Sequence, residues 1–276
     1  MTSERLHSPA ESPAQSPLDP RALRDGRWLR LDGAVNVRDL GGLPTGDGRR
    51  TRSGVLYRAD NLQDLTEADV AGLVEALGVR TVVDLRTSGE VRLEGPGPLH
   101  AAGLAHEHHS LVPDEQLRAA ELDDRVLPDR RYTSAVDVYL GYLDEAPDAV
   151  VAAVRILADP AAGPTVFHCA AGKDRTGVLA ALVEAAVGVT PDAVLDDYLD
   201  TVERVPAIVG RLLASATYAE DVGKVPLDHH TPRAETMQGV LSALDEQWGG
   251  ARGWLLAHGL TEAELDALAE RLVEAS

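Results

Sequence analysis

The sequence predicts an α/β fold with a central, mostly parallel sheet flanked by helices. Apolar segments of strand type alternate along the chain with segments of helical period, which is typical of such a fold. One apolar segment, PTVFHC (164–169), has the character of a central strand that is buried on both faces. The 276 residues are 44% hydrophobic, which is enough to build a sizeable core.

The N-terminal residues differ in composition from the rest of the chain. Residues 1–25 are rich in Ser and Pro and bury little, so we predict a disordered tail there and one folded domain over residues 26–276. No apolar run approaches the roughly 18 residues of a membrane span, and the N-terminus lacks the pattern of a signal peptide. We therefore expect a cytoplasmic protein without integral membrane association, with export by a route without a signal peptide left open.

Charge and cysteine content limit the partners and cofactors. The chain has 26 Lys plus Arg against 45 Asp plus Glu, a formal net charge of −19. This negative field repels nucleic acid and anionic headgroups, so we expect no nucleic-acid partner and a phosphate site that is built locally. The single cysteine excludes an internal disulfide and a multi-cysteine metal site.

Two further strands and the first helix follow from local patterns. GVLYR (54–58) and RTVVDLR (80–86) have the apolar, β-branched composition of strands. Thr66 and Asp69 have the spacing of a capping box at the start of a helix, and Gly78 stands where a glycine would end that helix.

The later helices are marked by similar signals. Thr261 and Glu264 repeat the capping box and predict a terminal helix over residues 262–273. A proline at the first helical position predicts helices that begin at Pro147 and at Pro191. Residues 175–187 are rich in Ala, Leu and Val with one charged residue, Glu184, after Arg175, so we expect this helix to be buried.

The stretch FHCAAGKDRTGV (167–178) places the only cysteine between a predicted strand and a buried helix. Successive backbone N–H groups of such a turn, together with the positive end of the helix, form a cavity for a dianion. Gly172 permits the necessary backbone conformation, and the guanidinium of Arg175 can bind two phosphate oxygens. We expect Thr176 to face the sulfur. The predicted phosphate-binding residues are Ala170, Ala171, Gly172, Lys173, Asp174, Arg175 and Thr176.

The same surroundings favour Cys169 as a nucleophile. A thiol near a helix N-terminus and cationic groups has thiolate character, and its in-line attack on phosphorus would give a cysteinyl-phosphate that water hydrolyses. No metal or other cofactor is required, because amides and guanidinium supply the positive charge. A lone cysteine after an apolar strand is more often a small packing residue. A cysteine that served only in packing would not require Gly, Lys, Asp, Arg and Thr within seven residues of it, so these neighbours favour catalysis or phosphate binding.

HCAAGKDRTG resembles the signature loop of the protein tyrosine phosphatase superfamily, in which His-Cys is followed by five residues, Arg, and Ser or Thr. Its AGKDRTG form resembles more narrowly the bacterial tyrosine phosphatase family that includes the mycobacterial dual protein and phosphoinositide phosphatases. Further similar segments are NVRDLGG (36–42), VLYRADNL (55–62), VVDLRTSGE (82–90), DDYLDT (196–201) and LLAHGLTEAELDALAERL (255–272). The resemblance thus extends from about residue 28 to the end of the chain.

The resemblance implies a cysteine phosphatase-like three-layer fold with a helical lid and a phosphatase domain over residues 26–276. It implies hydrolysis of phosphotyrosine in proteins, with phosphoserine, phosphothreonine and phosphoinositides as secondary substrates and inorganic phosphate as product. Cys169 would be the nucleophile, Arg175 the phosphate clamp and Asp174 the general acid. Asp84 is the alternative acid, and its structural interpretation is a carboxylate paired with Arg58 or Arg86.

Lys173 bears on the choice between protein and lipid substrates. A second cation beside Arg175 resembles the arrangement in phosphatases that accept phosphoinositides, and the alternative is a solvated loop lysine. Against a lipid substrate, the chain lacks a basic patch or a basic amphipathic helix that would bind an anionic bilayer. The lid is expected either in the segment 110–132 or in the helices after Thr190.

Two other motifs have mainly structural interpretations. In HEHH (106–109), His106 and His108 share one face of a strand, but the sequence indicates no third ligand, so we expect no metal. Arg38 and Asp39 are interpreted as a structural pair that closes the sheet edge near the active site, with direct substrate contact as the alternative.

Three alternative functions remain open on the sequence. A non-catalytic phosphoryl-binding module would use the loop without turnover, but it would not need the thiol. An enzyme that is mainly a phosphoinositide phosphatase would use the same loop and Lys173. A sulfurtransferase would use a related thiolate loop, but Arg175 followed by Thr176, with the Lys-Asp pair before them, favours phosphate.

Overall fold

A seven-stranded sheet forms the centre of the computed structural model, which describes residues 23–113, 133–224 and 226–275. The strand order is β1-β2-β3-β4-β7-β5-β6. The first three strands are short and pair antiparallel, whereas β4, β7, β5 and β6 are parallel, which confirms the predicted mostly parallel sheet. The strands are β1 (Arg24–Asp25), β2 (Trp28–Leu29), β3 (Arg38–Asp39), β4 (Leu56–Ala59), β5 (Thr81–Asp84), β6 (Ala105–His108) and β7 (Thr165–His168).

The central strand β7 lies between β4 and β5, and all residues of these three strands are buried. The burial confirms the prediction for the segment 164–169. Ala59, His168 and Asp84 are register partners at the carboxyl ends of the three strands. The residues that follow each strand therefore meet at one edge of the sheet, where open α/β sheets bind ligands.

Twelve α-helices are described in these residues. They are α1 (Glu67–Ala71), α2 (Ser88–Glu94), α3 (Pro98–Ala101), α4 (Ala135–Glu145), α5 (Pro147–Ala158), α6 (Arg175–Ala186), α7 (Pro191–Asp200), α8 (Val205–Ala214), α9 (Ala219–Gly223), α10 (Ala234–Trp248), α11 (Ala251–Ala257) and α12 (Glu262–Leu272). A π-helical turn (Gly72–Ala76) extends α1, and 3-10 turns occur at Pro160–Ala162, Thr201–Arg204 and Leu227–His230. None of the described helices is long and apolar enough to cross a membrane.

The helices cover both faces of the sheet and give three layers. Val83 and Phe167 face the larger core, which is filled mainly by α4 to α7 and α10 to α12. Val82 and Val166, their neighbours along the strands, face a smaller core with Leu73 beside α1. This alternation follows from the period of two along a strand.

The capping signals in the sequence are confirmed. Thr66 and Thr261 each accept a backbone N–H in a complete capping box. Helices begin at Pro147 and Pro191 as predicted, and most of α6 is buried. Gly78 has φ of +71°, the left-handed conformation that suits the residue after a helix.

Part of the predicted tail belongs to the sheet. Residues 1–22 lie outside the described residues, but Arg24–Asp25 forms β1, although the prediction placed these two residues in the tail. The guanidinium of Arg24 donates to Asp39 at 2.7 Å and to the Tyr57 hydroxyl at 2.9 Å. These contacts fasten the start of the domain to the sheet.

The helices after Thr190, one of the two segments predicted to contain a lid, lie next to the cysteine loop. Ile208 and Leu212 of α8, with Tyr218, form a small apolar cluster with Ala170 of the loop. Arg211 of α8 also pairs with Asp60, whose carboxylate it approaches at 2.6 Å. In the other candidate segment, residues 114–132 lie outside the described residues.

Candidate active site

The cysteine loop connects β7 to α6 at the shared edge of the sheet. Gly172 has φ of +65°, which L side chains rarely adopt. A Cβ added to this residue would lie 2.6 Å from the carbonyl oxygen of Ala59 and 2.7 Å from the amide nitrogen of Asp60. The turn therefore requires glycine both for its conformation and for its close approach to the end of β4.

The carbonyl groups of the loop bind to residues outside it. The backbone N–H of Asn61 donates to the carbonyl of Ala170 at 3.0 Å. The carboxamide of Asn36 donates to the carbonyls of Ala171 and Gly172 at 3.0 and 3.2 Å. Arg58 donates to the Gly172 carbonyl at 2.9 Å.

The N–H groups of the same loop are available to a ligand. Within the described residues, no group accepts a hydrogen bond from the backbone N–H of any residue in 170–174. The first turn of α6 follows at once and adds its positive dipole end. This combination is the usual chemistry of an oxyanion or phosphate site.

Cys169 lies at the base of the loop and is 2% exposed. Thr176, in the first turn of α6, is fully buried. Its hydroxyl has no hydrogen-bond partner among the described groups, so the predicted contact with the sulfur is not formed in this conformation. The sulfur and the hydroxyl nevertheless flank the same loop.

Arg175 is held by a carboxylate that sequence reasoning missed. Its two terminal nitrogens donate to the two oxygens of Glu90 at 2.6 and 2.9 Å. Glu90 also accepts from the backbone N–H of Thr87 and completes the capping box of α2. Burial opposes ionisation of Glu90, but the hydrogen bonds from Arg175 and Thr87 outweigh it and lower the pKa of Glu90.

Asp174 stands immediately before α6, with its side chain 33% exposed. Its Oδ1 accepts from the hydroxyl of Tyr139 at 2.6 Å. That hydroxyl lies 2.9 Å from the hydroxyl of Tyr198. Burial first and the charge of Asp174 second raise the pKa of Tyr139 far above its usual value, so Tyr139 stays a hydrogen-bond donor.

Asp84 is fully buried, and both of its oxygens accept from Arg86, at 2.9 and 2.6 Å. Burial opposes its ionisation, but His168 in its protonated form and the hydrogen bonds of Arg86 outweigh burial and hold the pKa of Asp84 far below its usual value. Burial lowers the pKa of His168 to about 4, so Arg86 is the charged partner at neutral pH. A carboxylate held ionised in this way is a poor proton donor, and the geometry favours the structural interpretation with Arg86.

Arg58, the other predicted partner of Asp84, pairs instead with Asp197 of α7 at 2.5 Å. Arg38 binds the same carboxylate at 3.0 Å. Asp39 accepts from Arg24, so Arg38 and Asp39 are buried in structural contacts but do not pair with each other as predicted. Neighbouring residues of a strand point to opposite faces, and these two therefore meet different partners.

The remaining predicted polar residues are also placed by specific contacts. Lys173 is not a solvated loop lysine, since its side chain is 14% exposed and its ammonium donates to the carbonyl of His230 at 2.9 Å. His106 lies 4.0 Å from Asp84, whereas His108 contacts the Arg86 carbonyl at 2.7 Å. Within the described residues, no group of three His, Cys, Asp or Glu could hold a metal ion.

Five residues of the site were missed: four have side chains that contact the loop, and Asp197 binds one of these four, Arg58. A signal was present for the residues that lie in segments with the family resemblance: Asn36, Arg58, Glu90 and Asp197. Tyr139 gave no signal, because α4 reads only as an amphipathic helix in sequence.

Comparison with known proteins identifies the family of this chain. The model of the tyrosine phosphatase family matches residues 29–274. The triple specificity protein phosphatase PtpB of Mycobacterium tuberculosis is 29% identical over 274 residues, which covers 86% of this chain and 96% of the relative. A tyrosine-protein phosphatase of Nostoc commune is 30% identical over 224 residues, covering 79% of this chain and 74% of the relative. A protein of Cupriavidus necator, provisionally named a tyrosine-protein phosphatase, is 32% identical over 232 residues and covers 82% of both chains.

Solved structures show a weaker likeness. The crystal structure of P. aeruginosa TpbA in complex with pTyr has 23% sequence identity and a TM-score of 0.35, covering 63% of this chain and 79% of that chain. The Siw14 catalytic core has 16% identity and a TM-score of 0.35, covering 58% and 77%. Because both TM-scores are low, the assignment depends on the sequence comparisons. The family model, which spans nearly the whole chain and includes the complete cysteine loop, shows that the protein belongs to the tyrosine phosphatase family.

Proposed function

We propose that this protein is a metal-independent phosphomonoesterase that hydrolyses phosphotyrosine in proteins through a cysteinyl-phosphate intermediate. The observation that carries the proposal is the loop of residues 169–175. It combines a thiol, backbone N–H groups without a protein acceptor among the described residues, and a guanidinium held in place by Glu90. Membership of the tyrosine phosphatase family supports the choice of substrate.

In the first step, the thiolate of Cys169 attacks phosphorus in line with the tyrosyl oxygen. The S–P bond forms as the bond between phosphorus and the phenolic oxygen breaks. Arg175 and the loop amides bind the three equatorial oxygens, whose charge redistributes in the transition state. These donors supply the charge stabilisation that Mg²⁺ supplies in a kinase.

Asp174 would protonate the departing phenolate. Tyr139 donates to Oδ1 of this residue, which leaves Oδ2 to carry the proton. In the second step Asp174, now ionised, removes a proton from water as the water attacks the cysteinyl-phosphate. The S–P bond breaks, inorganic phosphate leaves, and the thiolate and the protonated Asp174 are restored.

Phosphoserine, phosphothreonine and phosphoinositides would be secondary substrates. The mycobacterial relative is named a triple specificity protein phosphatase, which supports a site that accepts several phosphomonoesters. Lys173 is the cation that would bind an additional phosphate. Its ammonium is already committed to the His230 carbonyl and lies 3.5 Å from Asp174, so we rank phosphoinositides below phosphotyrosine.

The test is hydrolysis in EDTA of a phosphotyrosine peptide, a phosphoserine peptide and a phosphoinositide. Wild type and Cys169→Ser are compared at equal concentration, and both are also titrated with the phosphotyrosine peptide. We expect turnover by the wild type, fastest on phosphotyrosine, and none by the variant, with binding retained in both. Binding without turnover by the wild type would instead support a phosphoryl-binding module. Fastest turnover of the phosphoinositide would make the protein mainly a lipid phosphatase.

A further inference from the structure

We propose that Asn36 is a positioning residue that aims the backbone N–H groups of the cysteine loop at the bound phosphoryl group. The inference rests on the proposed function only in assuming that a phosphoryl group is the ligand of the loop. Asn36 is fully buried and contacts the loop from the side of β3. It lies 135 residues before the first loop carbonyl that it binds.

The geometry of the peptide bond links the contacts of Asn36 to the direction of the loop N–H groups. In a planar trans peptide, the carbonyl of one residue and the N–H of the next point in opposite directions. Asn36 Nδ2 binds the carbonyls of both Ala171 and Gly172. The N–H groups of Gly172 and Lys173 must therefore point away from Asn36, toward the concave side of the loop.

The orientation of the Asn36 carboxamide is itself determined by its partners. Arg38 Nη1 lies 2.8 Å from Asn36 Oδ1. A guanidinium can only donate, so the atom that faces Arg38 must be the oxygen, and the NH₂ group must face the loop. Both hydrogens of that NH₂ group can then be used, one for each loop carbonyl.

A buried ionic network holds this arrangement from behind. Asp197 binds Arg38 and also Arg58, which makes the second contact to the Gly172 carbonyl at 2.9 Å. Burial opposes ionisation of Asp197, but Arg38 and Arg58 outweigh it and hold its pKa far below the usual value. The ion pairs of Asp197 with Arg38 and Arg58 therefore stay charged at neutral pH, and they restrict the positions of the groups that contact Asn36 and the Gly172 carbonyl.

The consequence for catalysis is preorganisation. Donors that already point at the developing charge need no reorganisation in the transition state, and removal of one such donor lowers kcat by about 10²- to 10³-fold in well-studied enzymes. Without Asn36, two consecutive peptide groups of the loop would lose the contact that determines their direction. A loss in phosphate binding and in kcat should follow, although Asn36 touches neither the substrate nor the sulfur.

The test uses Asn36→Asp, which keeps the shape of the side chain and an acceptor for Arg38 but has no donor for the loop. Asn36→Ser is the second variant, which keeps one donor and covers the case in which Asn36→Asp does not fold. Thr201→Val is the matched control: Thr201 is equally buried, contacts Arg38 at 3.2 Å and donates to Asn36 Oδ1 at 3.4 Å, but it has no contact with the loop carbonyls and its removal leaves the NH₂ group of Asn36 in place.

Affinity for inorganic phosphate is measured by calorimetry in a Cys169→Ser background, so that no turnover is needed. We expect Asn36→Asp to weaken phosphate binding roughly tenfold or more, the scale of one or two lost hydrogen bonds to a charged ligand, and Asn36→Ser to lie between it and the wild type. Amide NMR should show that the phosphate-induced shifts of Gly172 and Lys173 seen in the parent are lost in Asn36→Asp. Thr201→Val should keep both the affinity and the shifts.

Unchanged phosphate affinity and amide shifts in folded Asn36→Asp or Asn36→Ser would overturn the inference. So would equal losses in Thr201→Val, since they would indicate a general structural role. A parent that binds no phosphate would overturn it as well. If the parent binds phosphate but the protein with Cys169 hydrolyses no phosphomonoester, the proposed function fails, while the binding data still decide the role of Asn36.

Discussion

Glu90 binds Arg175 through two parallel hydrogen bonds of 2.6 and 2.9 Å, and the same carboxylate caps the helix α2 on which it lies. The orientation of the guanidinium is thus coupled to the start of a helix outside the cysteine loop. An arginine has five N–H donors, so this pair leaves donors for phosphate oxygens. The arrangement selects one orientation of the clamp before any substrate binds.

Substitution Glu90→Gln should lower kcat more than it raises KM. The amide keeps its shape but can offer only one acceptor to Arg175, so the guanidinium remains charged and loses its fixed orientation. We expect a loss of kcat of up to about 10²-fold, the scale of a small misplacement in an active site. Steady-state kinetics on a phosphotyrosine peptide measures it. The control is Glu94→Gln, one turn further along α2, where the carboxylate contacts Ser215 and not Arg175; equal effects in both variants would contradict the role of Glu90.

Tyr139→Phe should impair the general acid selectively. It removes the donor that holds Oδ1 of Asp174 and leaves the ring in place. A general acid contributes about 10²- to 10⁴-fold, and mainly for poor leaving groups. We therefore expect kcat to fall roughly tenfold on a phosphoserine peptide and much less on a phosphotyrosine peptide. Tyr198→Phe is the control, since it leaves the bond between Tyr139 and Asp174 intact. An identical loss on both substrates would speak against this assignment.

Gly172→Ala should abolish phosphate binding and destabilise the fold. The new Cβ would have a strained φ and would also collide with the end of β4, at 2.6 Å from the Ala59 carbonyl oxygen. Gly188→Ala separates the two effects, because Gly188 has φ of +86° and nothing within 4 Å of an added Cβ. The control should lose about 1–2 kcal/mol of unfolding free energy. Gly172→Ala should lose more, and only this variant should lose phosphate affinity; denaturant unfolding and calorimetry measure the two quantities.

Glu184→Gln should stabilise the protein increasingly as the pH rises. Both oxygens of Glu184 are buried without a hydrogen-bond partner among the described groups. Burial and then the charge of Asp197 raise the pKa of Glu184 well above its usual value. The folded state thus favours the protonated form of Glu184. Its contribution to the free energy of unfolding is fully present below the pKa that Glu184 has in the unfolded chain, and it is lost as the pH rises through the higher pKa of the folded state.

Thermal unfolding at pH 5, 7 and 9 measures the effect. The difference in Tm between Glu184→Gln and the wild type should be smallest at pH 5 and should grow toward pH 9 in favour of the variant. Glu203→Gln, at an exposed position, serves as the control and should follow the wild type at every pH. A difference that shrinks with rising pH would refute the assignment of Glu184 as a buried, protonated acid.

The parts of the site that sequence could predict are local in the chain. Cys169, Gly172 and Arg175 lie within seven residues, and a strand and a helix with clear signals flank them, so a single loop could be proposed directly. The partners of the loop lie far away in sequence. Tyr139 is 35 residues from Asp174, and Arg58 is 114 residues from Gly172, so no local pattern could pair them.

The role of Asp84 shows the same limit. Arg58 and Arg86 each follow an apolar strand segment, and the sequence offers no reason to prefer one as the partner. The choice depends on α7, which brings Asp197 to Arg58 and leaves Arg86 for Asp84. Likewise Arg38 and Asp39 are neighbours with opposite charge, but the geometry of a strand separates them.

The contacts of the loop also have a consequence for how the protein matures. Asn36, which we infer orients the loop, and Asp197, which holds Arg58 against it, lie on either side of the loop in the chain. A nascent chain that has exposed only residues up to the end of α6 contains the complete signature sequence. It still lacks Asp197, which binds the Arg58 side chain that contacts the loop. Catalytic competence should therefore appear late in synthesis, after α7 has emerged from the ribosome, and any proteolytic fragment that ends before Asp197 should carry the motif without the activity.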